Sequence, residues 1–178
     1  MTSQQCLQIL RTVKDVAFAS VDAQGDPQVR IIDAMLIEEE RLYFCTARGK
    51  DFYQQLIAHP RIAIVGMNKD FQMVRLSGEA RHLDDQKYWI DRIFSENPSM
   101  CDVYPGDSRY ILEAFCIDAG ELSFFDLGRS PIEREQLPLG DGTPSLNGFA
   151  IQDAHCLHCG LCRERCPMQA IKKRGENR

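Results

Sequence analysis

The chain has 178 residues, with 44% hydrophobic and 26% charged side chains, eight cysteines and a formal net charge of −5. That length can bury one good core, the composition is that of a globular protein, and the acidic balance argues against a nucleic-acid binder. No run approaches the ~20 apolar residues of a membrane helix, and the opening MTSQQCLQIL has neither the basic start nor the long apolar run of a signal peptide. A cytoplasmic protein without membrane or nucleic-acid partners is therefore expected, and there clustered cysteines hold metal more often than they form disulfides.

In chain order, Ser3 is read as the cap of a short helix running through Val13, with Cys6, Leu7, Ile9 and Leu10 on its apolar face. The period then changes to two. VAFASVD (16–22) and QVRIIDAMLI (28–37) read as a hairpin around AQGDP, and RLYFCT (41–46) as a third strand after a tight turn at EEE. DFYQQLIAH (51–59) is a helix stopped by Pro60, and RIAIVGM (61–67) and QMVRLSGEARHL (72–83) are strands around a turn at Asn68–Phe71. DDQKYWIDRIFSENP is a helix whose Trp89, Ile90, Ile93 and Phe94 read as core packing. Pro98 to Ser108 is irregular, and YILEAFCID with ELSFFDL reads as a final hairpin through Gly120. About seven strands with few helices predict a mainly β fold, a closed or partly closed antiparallel barrel, over residues 1–127. Residues 128–150 hold four glycines and three prolines without periodicity and read as a linker.

Residues 151–178 carry the densest chemistry. Cys156, Cys159, Cys162 and Cys166 form C-x2-C-x2-C-x3-C, followed directly by Pro167. Thiolates at this spacing can wrap a loop around one compact inorganic cube, and Gly160 lets the backbone approach it. Structural zinc, the main competitor, usually takes two cysteine pairs a dozen or more residues apart. His155 and His158 read as polar loop residues. The sixteen residues from Arg163 hold six Lys or Arg against two Glu, a solvated tail whose charge would also suit an acidic redox partner protein. With Ile151, Asp153, Ala170 and Ile171, these residues resemble one half of a bacterial-type ferredoxin, which implies a [4Fe-4S] cluster. Two-cluster ferredoxins carry two such runs, and the fourth cysteine of each ligates the other run's cluster; here there is one run. The fourth ligand is left open between Cys166, a remote thiol (Cys6, Cys45, Cys101 or Cys116) and a partner chain, and a three-iron cluster also fits.

In YFCTARGKDFYQQL a strand ends at Thr46, Arg48 and Lys50 flank Gly49, and a helix follows at once. Cations beside a helix N-terminus favour a phosphate, although an ordinary basic loop has the same composition. Arg30, in mid-strand, faces either a pocket or water. GDPQVRIIDAML followed by LYFCTARGKDFYQQLIAHPRIAIVGMN resembles the pyridoxamine 5′-phosphate oxidase-like superfamily of FMN-binding split barrels, over roughly residues 3 to 126. The resemblance implies that Arg30 and Lys50 hold the FMN phosphate, that Thr46 adds a hydroxyl, and that the Ile31 backbone faces the ring. It also brings Asn68 and Lys69 towards the flavin and implies a homodimer with the flavin at the subunit interface. Arg48 joins this set on charge and position. Asp33, Cys45 and Arg75 are further candidates for a pocket lining, and no catalytic side chain is identified. The substrate-end residues of pyridoxamine phosphate oxidase itself are not evident, so vitamin B6 oxidation is not expected.

The combined expectation is an FMN-dependent oxidoreductase that receives electrons through the iron–sulfur tail and reduces a small organic acceptor. The alternatives are a non-catalytic FMN/iron–sulfur carrier or redox sensor, a split barrel that binds haem or deazaflavin, and a tail stapled by zinc.

Overall fold

A computed structural model describes residues 1–130, 132–143, 151, 153–167 and 171. The chain divides into two compact units, Met1–Ser145 and Leu146–Arg178. The first begins with α1 (Ser3–Val13), capped by Thr2 rather than by Ser3: the Thr2 side chain accepts from the Gln5 amide while the Gln5 side chain accepts from the Thr2 amide. A reciprocal box of this kind satisfies two orphan donors at a helix start, which one residue cannot do alone.

Strands β1 (Asp15–Val21) and β2 (Pro27–Asp33) form the expected hairpin, with Arg30 opposite Phe18. The second strand does not run on to Ile37 as the apolar pattern suggests. At Ala34 and Met35 the backbone turns away, its amides donating to Lys14 and Tyr43 carbonyls, and β3 (Leu36–Glu38) joins a different sheet. There it pairs with β4 (Arg41–Ala47) across a two-residue turn in which Glu39 and Glu40 have φ of 49° and 55°, the twist that such tight hairpins need.

The remaining elements of this unit are α2 (Asp51–Ala58), β5 (Arg61–Met67), β6 (Gln72–Glu79), β7 (Arg81–His82), α3 (Gln86–Glu96), α4 (Met100–Val103), a 3-10 turn at Gly106–Ile111, β8 (Leu112–Ile117), β9 (Gly120–Asp126) and β10 (Glu133–Leu139). They make a six-stranded sheet in the order β10-β9-β6-β5-β1-β2 and a four-stranded one in the order β3-β4-β8-β7, with antiparallel pairing throughout the described residues. The expected final hairpin is therefore absent: β8 and β9 are adjacent in sequence but lie in different sheets. The crossing is tight, because a Cβ on Gly78 would come within 2.5 Å of the Ala119 carbonyl oxygen. Strand β10 falls in the stretch that reads as a linker. It is an edge strand, where Pro138 removes no needed ladder bond. Its burial pattern is too weak to print an alternation in sequence, Leu139 alone being fully buried. Residues 144–150 of that stretch lie outside the described residues.

Strands β4 and β8 are apolar almost throughout because both faces are covered. On one side Leu42, Phe44, Phe115 and Ile117 meet Phe18, Ile64, Leu76 and α1 in the main core. On the other, Tyr43, Cys45, Ala114 and Cys116 pack with Ile90, Ile93 and Phe94 of α3. The outer face of the six-stranded sheet is different. Val29 (71% exposed), Ile31 (62%), Val65 and Met67 leave an apolar strip open across β2 and β5.

The second unit contains a 3-10 turn at Asp153–His155 and a short helix, α5 (Leu161–Arg165), whose N-cap Gly160 has φ 77°. Among the described residues no helix is long and apolar enough to cross a membrane.

Candidate functional site

Arg30 points inward from β2 and is half-buried. Its Nη1 donates to Ser20 Oγ at 2.6 Å, its Nη2 donates to Gln55 Oε1 at 2.9 Å, and its guanidinium lies 4.4 Å from the Phe52 ring centroid. Ser20 Oγ in turn donates to Gln55 Oε1 at 2.6 Å, and both residues are buried. Burial lowers the Arg30 pKa from its ordinary value. Every hydrogen-bond acceptor on this guanidinium is neutral, and none of the ion pairs among the described residues includes it. Gln55 and Phe52 belong to α2, and Lys50 is the exposed N-cap of that helix, without a side-chain cap bond. Thus α2 ties Arg30 to the segment that carries Lys50.

Arg48 is arranged differently. Its Nη1 donates to Glu113 Oε1 at 3.1 Å and its Nη2 to the Tyr110 carbonyl at 3.1 Å. Glu113, buried on β8, also accepts from Tyr53 Oη at 2.8 Å and meets His82 Nε2 at 2.5 Å. Burial pushes the Glu113 carboxyl up, but the bonds from His82, Tyr53 and Arg48 outweigh it and hold the group below its ordinary value. The Tyr53 hydroxyl is raised in turn, chiefly by its bond to that carboxylate. Thr46, buried at the end of β4, faces Glu113 in the strand register.

The other expected residues stand apart from both groups. Ile31 is on the exposed outer face of β2. The Asn68 side chain bonds within its own turn, to Gln72 and to the amides of Asp70 and Gln72, and Lys69 beside it is exposed. Of the further lining candidates, Asp33 pairs with Lys14 at 3.4 Å, Cys45 is buried against Met35 with its thiol pushed up to about 12 by burial, and Arg75 is exposed on β6. Sequence reading missed Ser20, Gln55, Tyr53, His82 and Glu113. Each is a single polar residue in a strand or helix pattern, and only the fold brings them to the arginines: Ser20 through the pairing of β1 with β2, Glu113 and His82 through β8 with its neighbours β4 and β7, and Tyr53 and Gln55 through α2.

The family model for pyridoxamine 5′-phosphate oxidase matches residues 2–99. The chain belongs to that family. Among solved structures it is similar to a NimC/NimA family protein of Clostridium acetobutylicum, at 25% identity and a TM-score of 0.65, over 77% of this chain and 92% of that one. A pyridoxamine 5′-phosphate oxidase-related, FMN-binding protein of Nostoc punctiforme shares the fold at 15% identity and a TM-score of 0.53, over 74% of this chain and 85% of that one. So does a haem-binding protein of Mycobacterium smegmatis, at 15% identity and a TM-score of 0.53, over 76% of this chain and 58% of that one. No curated protein matches the chain. With the family, the two antiparallel sheets around one core are those of a pyridoxamine 5′-phosphate oxidase-like split barrel.

In the second unit, Cys159 and Cys162 are exposed while Cys156 and Cys166 are half-buried. Among the described residues no three His, Cys, Asp or Glu side chains are gathered as a metal site, the four tail cysteines included. The His158 amide donates to Cys156 Sγ at 3.4 Å, and His158 and Gly160 both take positive φ.

Proposed function

We propose that the chain is an FMN-dependent oxidoreductase that reduces a small organic acceptor, with electrons entering through a [4Fe-4S] cluster on Cys156, Cys159, Cys162 and Cys166. One observation carries the flavin half of this reading: Arg30 is a half-buried cation held only by neutral acceptors. A desolvated charge without a counter-charge is costly, and a phosphate dianion removes that cost. Membership of the family and the fold shared with an FMN-binding neighbour agree with it.

Arg30 and Lys50 would hold the phosphate, with Thr46 and the first amides of α2 beside them; Asn68, Lys69 and the Ile31 backbone would approach the ring system. Arg48 is engaged by Glu113 and brings less net charge to the site. The bound cofactors supply hydride chemistry at the flavin and single-electron transfer at the cluster, while this chain's residues bind, orient and exclude water. The apolar strip of Val29, Ile31, Val65 and Met67 suits burial against a second copy, in keeping with the dimers common in this family.

The test is an absorption spectrum of protein purified without oxygen, before and after dithionite, with iron and flavin quantified on the same sample. Flavin bands, a broad shoulder that bleaches, and about four irons per chain are expected, followed by rapid reoxidation of the reduced flavin by a small acceptor. Zinc in place of iron, flavin bands missing, or a Soret band would each overturn the assignment of the corresponding cofactor. Slow reoxidation by every acceptor would make the protein a carrier.

A further inference from the structure

The half-buried Arg30 and the exposed Arg48 are held by opposite means. Arg48 is held by the Glu113 carboxylate at 3.1 Å, which cancels its charge. Arg30 is held by a serine hydroxyl and an amide oxygen at 2.6 and 2.9 Å, which cancel nothing. A carboxylate at either acceptor position would grip a guanidinium about twice as strongly, so a site built only to fasten Arg30 would gain from one. Ser20 and Gln55 are also costly where they are. Both are buried in a barrel whose apolar core includes Phe18, Phe44, Phe52 and Leu56, and a buried polar side chain must be fully bonded to be tolerated. Their bonds are to each other and to Arg30.

We infer that Ser20 and Gln55 are positioning residues that fix the Arg30 guanidinium while leaving its charge uncompensated for an anionic group, so that they set the preference for a phosphorylated flavin over its unphosphorylated form. The inference rests on the reading of Arg30 as a phosphate ligand. Of the five N–H bonds of a guanidinium, one on each Nη is engaged. Nε–H and one N–H on each Nη remain, a planar fork suited to two phosphate oxygens. The Phe52 ring, 4.4 Å from the guanidinium carbon, limits tilting of that plane without contributing a negative charge.

The sharpest test exchanges the neutral acceptor for a charged one of the same shape. In the full-length protein, Gln55→Glu retains an acceptor for Arg30 and Ser20 but installs a counter-charge. Binding of FMN and of riboflavin is measured by quenching of flavin fluorescence, with inorganic phosphate as a competitor and the melting temperature recorded alongside. The wild type is expected to prefer FMN. Gln55→Glu is expected to bind FMN about 10- to 100-fold more weakly, the value of one charge-assisted bond, with riboflavin affinity unchanged and no fall in melting temperature. Ser20→Ala, which frees one Nη1 bond without adding charge, should weaken FMN less and in the same sense, and it carries the test if Gln55→Glu does not fold. A Gln55→Glu protein that folds and keeps the wild-type preference overturns the inference. If instead the wild type shows no preference for FMN, or Arg30→Ala leaves the preference intact, the phosphate reading itself fails.

Discussion

The two units hold the same side chain, cysteine, in opposite settings. In the barrel, Cys6, Cys45 and Cys116 are buried, and burial pushes their thiols up to about 11, 12 and 11. A thiol that resists ionisation in this way is a small apolar filler and a poor metal ligand, since ligation requires the thiolate. In the tail, Cys159 and Cys162 are exposed, and a backbone amide already donates to the Cys156 sulfur. Burial, not cysteine count, separates the thiols that pack from those open to ligation. Of the remote cysteines considered as a fourth ligand to the proposed cluster, Cys6, Cys45 and Cys116 are locked into the barrel's core clusters, whereas Cys101 is half-buried within α4.

The largest effect that could break this contrast is loss of the proposed cluster. Cys162→Ser removes an exposed side chain and should leave the barrel folded, yet drop the iron content from about four per chain to three or fewer. Cys45→Ser should keep all the iron. Its hydroxyl, next to Met35 Sδ at 3.4 Å, loses a comfortable partner, so unfolding should cost about 1–3 kcal/mol less than in the wild type. Iron quantification and electron paramagnetic resonance of the dithionite-reduced proteins separate the two outcomes. Iron lost from Cys45→Ser and retained in Cys162→Ser would reverse the roles assigned to the two units.

A smaller effect sharpens the same contrast through packing. Phe18 is fully buried, with Phe44 at 4.8 Å and Phe52 at 5.3 Å between ring centroids, so Phe18→Ala should destabilise the barrel by about 3–5 kcal/mol. Leu157 in the tail is 91% exposed, and Leu157→Ala should shift stability by no more than about 0.5 kcal/mol. Trp89, the single tryptophan, stacks on Tyr43 in the barrel, so denaturant titrations followed by its fluorescence report on that unit directly. Equal midpoints for the two variants would contradict the described core.

The same difference governs what could be read from the residues alone. The tail's signal is local: four cysteines, a glycine and a proline within a dozen positions need no knowledge of the fold. In the barrel, alternation gave β1, β2 and β5, and the fold class followed from the number of short apolar runs. Alternation could not reveal that QVRIIDAMLI serves two sheets, because the break at Ala34–Met35 is made by backbone bonds to Lys14 and Tyr43 rather than by a glycine or proline. It missed β10 because an edge strand buries little. At the candidate site Arg30 and Lys50 were legible as misplaced or clustered charges. Their neutral or charged holders were not, since Ser20, Gln55 and Glu113 acquire meaning only through partners 10 to 65 residues away in sequence.

Glu113 offers the finest probe of how differently the barrel treats a charge. Glu113→Gln keeps the shape and one acceptor oxygen but removes the charge that draws bonds from His82, Tyr53 and Arg48. A loss of about 1.5–3 kcal/mol is expected at neutral pH, the value of hydrogen bonds to a charged group. The folded carboxyl sits below its ordinary value of 4.5: burial raises it, and the three bonds lower it by more. Below that ordinary value the unfolded chain binds the proton first, so the stability Glu113 contributes is fully present above 4.5 and is lost as pH falls through the lowered folded value. The gap in unfolding free energy between wild type and Glu113→Gln should therefore be constant from neutral pH down to about 5 and then close on further acidification. A gap that widens on the acid side would mean that the carboxyl is protonated more readily in the folded barrel than in the unfolded chain, and that its three donors do not outweigh its burial.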